Sequence, residues 1–442
     1  MRVWLTISWL FAREVIRAVL VPWHLLLYLP RRKKWQQEAK DMLAQPPVPT
    51  DGALALEFGA RAKGRGKVFI SAGETSGELH ATKVIRAVRE TGHDATWTCF
   101  GGPQLEAEGA TLLYPLSDRA VMGVMSVLAS LPFVLKAVAR FIRMLDEDPP
   151  DLVVFVDYPG LHLVLARLAR RRGIEVLHYI APQYWAWAPW RMHRYKRSFS
   201  ATLTILPFET TFFGRAGIPC EYVGHPLLDQ NPRPPSNPEA TSSEESTTLC
   251  LLPGSRRKEI LANLPGMIRV AKQLRSTHAN ANVVVLHVDP RRIPLIEELL
   301  RTHDAAFVEF RQGPIGAALS TARVVLAKSG TGSLEACLHR TPTVVVYKLG
   351  GAFSSFFTRN FISVPWIASA NLIAGRQVIP EYCFQRDEIW SDVTRSVIDL
   401  WENTTIRRNC LAGFDEVRDR LGDPGASARV AKWILPFCEV SS

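Results

Sequence analysis

From Lys67 onward, short apolar runs alternate with segments whose apolar positions recur every three or four residues. KVFIS, DLVVFVDY, EVLHYI and ATLTIL have the length and β-branched content of buried strands, and ATKVIRAVRE and LVLARLARRR carry the helical period. Strands that alternate with helices predict a parallel sheet covered on both faces. A Pro/Ser/Glu-rich stretch, QNPRPPSNPEATSSEEST (230–247), interrupts the pattern and reads as a linker. The alternation resumes with TLCLLPGS, NVVVLHV, RVVLAKSG and TVVVYK, separated by helical segments such as PGMIRVAKQLRS and SLEACLHR. The expected fold class is α/β: two Rossmann-like, doubly wound domains, one over 65–229 and one over 248–442 that includes the C-terminal helices.

Residues 1–60 do not share this alternation and read as a separate N-terminal extension, basic, apolar and helical. Residues 1–40 hold eight Lys/Arg against Glu14 and Glu38, so +6 of the chain's net +11 lies there. The longest uncharged run, 18–30, has 13 residues with Pro22 and His24 inside it, short of the ~20 that cross a bilayer. Arg13, Glu14 and Arg17 interrupt the apolar region and no small-residue cleavage site precedes RRKK, which disfavours a signal peptide. Tryptophans beside a basic cluster suit a segment lying in the headgroup region of an anionic leaflet, where each Lys or Arg contributes about 1 kcal/mol. A membrane span and a helix packed on the protein's own body are the alternatives. A second apolar stretch, 121–145, is hydrophobic on more than one face; it reads as a core helix, or as a lipid or partner surface if part of it is exposed.

Composition narrows the class. With 442 residues, 47% hydrophobic and 21% charged, the chain is globular and long enough for more than one core. The +11 charge points to anionic partners: nucleic acid, a membrane surface or phosphorylated substrates. Seven scattered cysteines without C-x-x-C spacing disfavour a disulfide framework or a zinc site and suggest a reducing compartment. The histidines show no H-x-x-x-H spacing, and the Asp-x-Asp of DEDPPD (146–151) precedes two prolines as a solvated turn would, so no metal is expected.

In an open parallel sheet, ligands bind beyond the carboxyl ends of the strands. Three turns there carry unusual chemistry. AGETSGE (72–78) offers Gly73 and Gly77 for close backbone approach, Ser76 as a helix cap, and the carboxylates of Glu74 and Glu78; it suits a sugar hydroxyl better than a phosphate, or is a plain strand-to-helix turn. In LLPGSRRKE (251–259), Gly254 and Ser255 expose backbone amides and Arg256 can aim a guanidinium at a phosphate. In KSGTGSLE (328–335), the turn Ser329, Gly330, Thr331 and Gly332 opens a helix whose amides and dipole favour a diphosphate, with Glu335 one turn on to accept from a ribose. Two such turns on successive units of one domain predict a nucleotide site. Asp157, at the end of LVVFVDYPG, is placed for a general base or for capping a turn. The run HYIAPQYWAWAPWRMHRYKR (178–197) suits base stacking, closure of a cleft or docking on anionic lipid.

Taken in order, AGETSGELH, AVMGVMSVL, HYIAPQYWAW, LPFE (206–209), VGHPLLD (223–229), LPGSR, SGTGSLE and NLIAGR (371–376) with Glu381 closely resemble the lipid-A-disaccharide synthase family, over about 67–390. The resemblance implies an inverting, metal- and cofactor-independent GT-B glycosyltransferase whose two domains face a cleft. Its substrates would be UDP-2,3-diacylglucosamine and 2,3-diacylglucosamine 1-phosphate, joined through a β(1→6) linkage with release of UDP. It implies a cytoplasmic enzyme, peripheral on the inner face of the membrane, a homodimer, and no nucleic-acid partner. On the matching positions Asp157 would be the base, with Glu74 and Ser76 beside the reacting sugars. Arg256, Ser255 and Ser329 to Gly332 would hold the diphosphate, Glu335 the ribose, and Asn371 and Glu381 would complete the donor side.

The chain departs from the family's pattern at three places. Gly160, Leu161 and His162 stand where Asp-Phe-Asn is usual, which bears on acceptor contacts. Phe384 replaces a glutamine, and Lys328 a small residue. Competing expectations are a UDP-sugar 2-epimerase-like enzyme of the same architecture and a membrane-bound nucleic-acid or lipid-binding module. An NAD-linked oxidoreductase is disfavoured because GETSGE lacks the G-x-G-x-x-G spacing.

Overall fold

The computed structural model describes residues 13–14, 16–17, 20–45, 52–62, 66–117, 131–231 and 246–440. Residues 118–130, and 232–245 of the linker, lie outside them, as do all of 1–12 with Trp4 and Trp9. The chain forms two compact units: Met1–Trp35 with Pro47–Asp229 and Asp423–Ser442, and Gln36–Pro46 with Gln230–Gly422. The expected boundaries therefore need correction at both ends. Residues 36–46 group with the second unit, and the last twenty or so residues, assigned above to the second domain, belong to the first.

The first unit holds β1 (Lys67–Ala72), β2 (His93–Asp94), β3 (Thr96–Phe100), β4 (Thr111–Tyr114), β5 (Leu152–Val156), β6 (Glu175–Tyr179), β7 (Ala201–Thr204) and β8 (Cys220–Tyr222). Seven of these form a parallel sheet in the order β4-β3-β1-β5-β6-β7-β8. Both faces are covered, which is why the strands read as unbroken apolar runs. Alternate residues of one strand serve opposite cores. Phe69, Val153 and Phe155 face the layer containing Phe100, Phe141 and Leu165, while Val68, Ile70, Val154 and Val156 face Val84, Val88 and Trp433. Phe69 packs edge-on to Phe100 and Phe141 with centroids 5.1 Å apart in both pairs.

The C-terminal helix Ala426–Ile434 lies against helix Thr75–Arg89, and its Trp433 indole donates to Glu221 Oε2 at 3.1 Å. A final strand, β15 (Glu439–Val440), pairs antiparallel with β2. These non-local contacts assign the chain's end to the first unit, and local pattern carries no trace of them.

The second unit contains β9 (Thr248–Leu252), β10 (Asn282–His287), β11 (Val308–Gln312), β12 (Val324–Lys328), β13 (Thr343–Lys348) and β14 (Glu381–Phe384), all parallel in the order β11-β10-β9-β12-β13-β14. In both sheets the first long strand sits inside, with later strands added on each side of it. That arrangement creates a switch point, between β1 and β5 in one sheet and between β9 and β12 in the other.

The aromatic and basic run 178–197 is mostly interior. Tyr184, Trp185 and Tyr195 are buried, and the Trp185 indole donates to Glu209 Oε1 at 3.0 Å. Burial raises the Glu209 carboxyl to about 7 despite that bond and those from the Leu206 and Ile205 amides. A stacking platform for nucleic acid needs these rings exposed, so that reading loses its physical basis. The DEDPPD carboxylates are likewise engaged: Asp146 with Arg172 at 2.7 Å, Asp148 with Lys67, and Asp151 with the Lys67 amide at 3.1 Å.

Three buried imidazoles and a half-buried one, His80, give the first unit a defined acid response. Burial lowers His80, His178 and His225 to about 4 and His162 to about 3. An unfolded chain protonates these side chains below about pH 6.5, whereas the fold resists until its lower values are reached. Their contribution to stability is thus complete above about pH 6.5 and lost as pH falls toward 4. The thermal midpoint of the first unit's transition is expected to drop between pH 7 and pH 5, and to drop less steeply in His178→Gln, as followed by circular dichroism.

Candidate active site

β1 and β5 pair in parallel with Ala72 opposite Val156, so their carboxyl ends finish together. The turn after β1 runs through Gly73 and Glu74 into helix Thr75–Arg89. Glu74 takes the N-cap position with an extended backbone. Ser76 lies inside the first helical turn, exposed, so the expectation that Ser76 caps this helix is corrected. Glu78 is 2% exposed and accepts from the Gln104 and Leu105 amides at 2.7 and 3.1 Å and from Ser117 Oγ at 2.8 Å. It caps helix Pro103–Ala107 and offers nothing to a ligand. Gly73 is required by its neighbour: a Cβ there would lie 2.1 Å from Cγ of Tyr158.

Tyr158 belongs to the adjoining turn, after β5. Asp157 and Tyr158 both have φ of 52°, and Ile180, just past the end of β6, has φ of 64°. Left-handed residues other than glycine cost about 1–3 kcal/mol each, and such strain concentrates at functional sites. Three of them stand at the carboxyl ends of two neighbouring strands, with the Asp157 amide donating to Tyr179 O at 2.9 Å.

The carbonyl of Asp157 is held by two buried histidines. His162 Nδ1 lies 2.7 Å from it and His178 Nε2 3.2 Å. Because a carbonyl only accepts, both nitrogens carry the proton, and each ring's other nitrogen must accept. Ser71 Oγ lies 2.9 Å from His162 Nε2, and Tyr195 Oη 2.7 Å from His178 Nδ1. Tyr195 Oη in turn lies 2.9 Å from Thr202 Oγ1. The histidine that departs from the family's usual residue at 162 is thus the one that grips the Asp157 backbone.

In the second unit β9 and β12 are paired with Leu252 opposite Ala327, bringing their following turns side by side. Gly254 has φ of 108°, and a Cβ there would meet Glu259 at 2.7 Å. The Ser255 amide, expected to face a phosphate, donates instead to Glu259 Oε2 at 3.1 Å, and the Arg256 amide joins it at 3.3 Å. Glu259 Oε1 lies 2.9 Å from Lys328 Nζ and 3.6 Å from Arg256 Nη1. Burial disfavours the Glu259 charge, but Lys328 foremost, with the Arg256 amide and guanidinium, outweighs it and holds the carboxyl below its ordinary value. The expectation of an open amide at Ser255 is corrected: a carboxylate fills the cradle.

The turn after β12 is different. Ser329 Oγ donates to Ile367 O at 2.8 Å and Ser333 Oγ to Gly330 O at 2.7 Å, which shapes the loop from below. Gly330 and Thr331 are exposed, Gly332 half-buried, at the start of helix Thr331–Leu338. Glu335, one turn along, is half-buried, and burial raises its carboxyl. Among the described residues no hydrogen bond or ion pair reaches that carboxylate.

Asn371 and Glu381 have inward duties. Asn371 is fully buried; its amide donates to Ile379 O at 3.0 Å and Glu381 Oε2 at 2.9 Å and accepts from the Val378 and Ile379 amides at 2.7 and 3.0 Å. All its hydrogen-bonding capacity is used. Glu381 accepts from the Ile367 and Ala368 amides at 2.9 Å each. Through Ile367 the pair supports the Ser329 turn, so the expected direct contact by Asn371 becomes a supporting one. Phe384 is buried against Trp390, with centroids 5.2 Å apart. Among the described residues no group of three His, Cys, Asp or Glu side chains is arranged to hold a metal ion.

Residues 68–411 match the family model described as lipid-A-disaccharide synthetase. A lipid-A-disaccharide synthase of Myxococcus xanthus is 33% identical over 380 residues, covering 84% of this chain and 97% of that protein. One from Acidobacterium capsulatum is 34% identical over 385 residues, covering 83% and 94%. Among solved structures, the S. aureus MnaA–UDP complex superposes with a TM-score of 0.56 at 11% identity, covering 82% of this chain and 94% of that one. The glycosyltransferase of kitacinnamycin gives 0.53 at 14%, covering 85% and 100%. At such identities these two likenesses concern the fold.

The packing of Gly73 on Tyr158 is directly testable. Gly73→Ala is expected to lower the stability of the first unit by about 1–3 kcal/mol through overpacking. Adding Tyr158→Ala to the same chain should recover a large part of the loss, as measured by urea unfolding.

Proposed function

This chain belongs to the lipid-A-disaccharide synthetase family of glycosyltransferases, and we propose that it joins UDP-2,3-diacylglucosamine to 2,3-diacylglucosamine 1-phosphate. Asp157 takes the proton of the acceptor's 6-hydroxyl while that oxygen attacks the anomeric carbon from the face opposite the leaving group. The bond from the anomeric carbon to the diphosphate breaks with its electrons leaving on UDP, and the β(1→6) linkage forms with inversion. The observation that carries this reading is the strained Asp157–Tyr158 turn at a switch point, beside Glu74 and Ser76 on the turn after β1.

On the second unit the diphosphate is assigned to Ser329, Gly330, Thr331 and Gly332, where a helix begins, with Ser255 and Arg256 on the neighbouring turn. The ribose hydroxyls donate to Glu335, a half-buried carboxylate with no other donor among the described residues. Asn371 and Glu381 hold the turn in shape. Arg256 and the helix N-terminus supply the positive charge that a departing diphosphate needs, so the mechanism is metal-independent.

We place the protein on the inner face of the cytoplasmic membrane and expect a homodimer. Ile16, Leu20, Trp23 and Leu27 recur at helical spacing and are 59%, 43%, 61% and 51% exposed. The other side of this segment faces the first unit: Glu14 pairs with Arg194 at 2.9 Å, and Tyr28 packs edge-on to Trp190 at 5.2 Å. An apolar stripe turned to solvent and followed by Arg31, Arg32, Lys33 and Lys34 suits an anionic headgroup layer. No helix among the described residues is long and apolar enough to cross a membrane.

Incubating the purified protein with both diacylated monosaccharides should yield disaccharide and UDP in equal amounts. Epimerisation of a soluble UDP-sugar without disaccharide would replace this reading with the epimerase one. Asp157→Ala should leave UDP affinity, by calorimetry, nearly unchanged and lower turnover at least ~10²-fold. Trp23→Ala with Leu27→Ala should weaken sedimentation with anionic vesicles by at least about tenfold, given ~1.5–3 kcal/mol per buried side chain, and leave activity in detergent intact.

A further inference from the structure

Two buried histidines that converge on one carbonyl are an uncommon use of buried imidazole. Each ring has a single N–H when neutral, and His162 and His178 both direct theirs to Asp157 O, at 2.7 and 3.2 Å. They come from different elements: His162 from helix Pro159–Arg170, His178 from β6. Their second nitrogens are fixed by hydroxyls from further elements, Ser71 on β1 for one and Tyr195 of helix Met192–Lys196, backed by Thr202 on β7, for the other. Both lone pairs of one carbonyl are filled; the carbonyl, which only accepts, sets the tautomer of each ring, and the hydroxyl partner donates to the remaining nitrogen. The peptide between Asp157 and Tyr158 is thereby locked in an orientation that goes with two consecutive left-handed residues. Release of that carbonyl would let the peptide rotate toward ordinary negative φ, and the direction of the Asp157 side chain would change with it.

We infer that His162 and His178 are positioning residues, a pair of imidazoles that clamp the Asp157 carbonyl and thereby aim its carboxylate at the acceptor hydroxyl. The inference rests on the assignment of Asp157 as the base. The side chains that complete the clamp, Ser71 and Tyr195, act through the histidines and do not meet substrate. Burial keeps both rings neutral, so that each has one donor and one acceptor nitrogen to use. The clamp also explains how a histidine is accommodated at 162: it lies against Phe155, with ring centroids 4.5 Å apart, and supports the turn from inside the sheet.

The test compares substitutions that keep the donated hydrogen bond with ones that delete it. Asn places an amide nitrogen where Nδ1 of His162 stands, and Gln places one where Nε2 of His178 stands. His162→Leu and His178→Phe are expected to lower kcat by about 10²-fold, the scale of an ångström-sized misplacement, with KM for both substrates within about twofold of wild type. His162→Asn and His178→Gln should recover most of the rate. Tyr195→Phe, which removes the hydroxyl that holds His178 Nδ1, should lose part of it. In an Asp157→Asn background the same histidine substitutions should cause no further loss, because they act through the carboxylate. Wild-type kcat in folded deletion variants, a loss confined to KM, failure of the conservative variants to rescue, or a further loss in the Asp157→Asn background would each overturn the clamp while leaving Asp157 as the base. Wild-type kcat in Asp157→Asn alone would remove the base assignment itself, and the clamp with it. If a deletion variant does not fold, Tyr195→Phe and the conservative pair decide between a clamp and no clamp: wild-type kcat in Tyr195→Phe together with a full loss in the conservative pair overturns it.

Discussion

The carboxyl edge of the first sheet depends on how one peptide, that of Asp157, is held. Two consecutive left-handed residues there, with a third at Ile180, amount to several kcal/mol of backbone strain at about 1–3 kcal/mol each. A buried hydrogen bond returns a net ~0.5–1.5 kcal/mol, so the bonds running from Ser71, His162, His178 and Tyr195 match only part of that strain. The balance falls to packing: β5 is buried along its whole length, Phe155 and Phe69 lie in one aromatic layer, and the Tyr158 ring rests on a glycine that has no Cβ to obstruct it. The core therefore does more than stabilise the fold. It forces a conformation that the isolated chain would avoid.

The second unit repeats the strand order and not the chemistry. Its two glycine-bearing turns look alike as sequence, yet they are physically unequal. At Ser255 and Arg256 the amides already bind an oxyanion, the Glu259 carboxylate, whose charge is sustained by Lys328 and Arg256. A phosphate arriving at those amides meets a fixed negative charge at hydrogen-bond distance. At Ser329 to Gly332 no carboxylate is bonded to the turn among the described residues, and a helix begins there. Repulsion at one turn and its absence at the other favour the second as the place for the proposed diphosphate, beside Lys328, one of the cations that hold Glu259.

What the sequence made legible was whatever depends on neighbouring residues. Strand and helix periods, the linker composition and the turns at strand ends are local, and so the α/β class, the family and the strand ends bearing Asp157 and the glycine-bearing turns of the second unit were readable. The assignment of residues 423–442 to the first unit rests on Trp433 meeting Glu221 and on β15 meeting β2, partners hundreds of residues away. The saturation of Asn371 and the filling of the Ser255 turn by Glu259 need side-chain geometry. The aromatic run 178–197 misleads for a related reason: its rings are large enough for a stacking surface, and only the packing of Tyr184, Trp185 and Tyr195 shows that they are core.

His162 shows how these levels join. By sequence it is a departure at a position close to Asp157, the proposed base, and the expected consequence was a changed acceptor contact. In the fold it is fully buried, its Nδ1 at the Asp157 carbonyl and its Nε2 at Ser71, so its ring faces inward and away from solvent. A side chain in that position cannot select an acceptor by touching it, but it can set where the neighbouring carboxylate points. The same logic applies to Asn371 and Glu381, which shape the Ser329 turn from behind. In both units, then, the residues assigned to ligand by our proposal sit on turns at the strand ends, and a buried polar framework, paired atom for atom, fixes those turns. Burial makes such a framework demanding, because each unpaired group would carry its full desolvation penalty, and for the same reason it leaves the turns little freedom to relax.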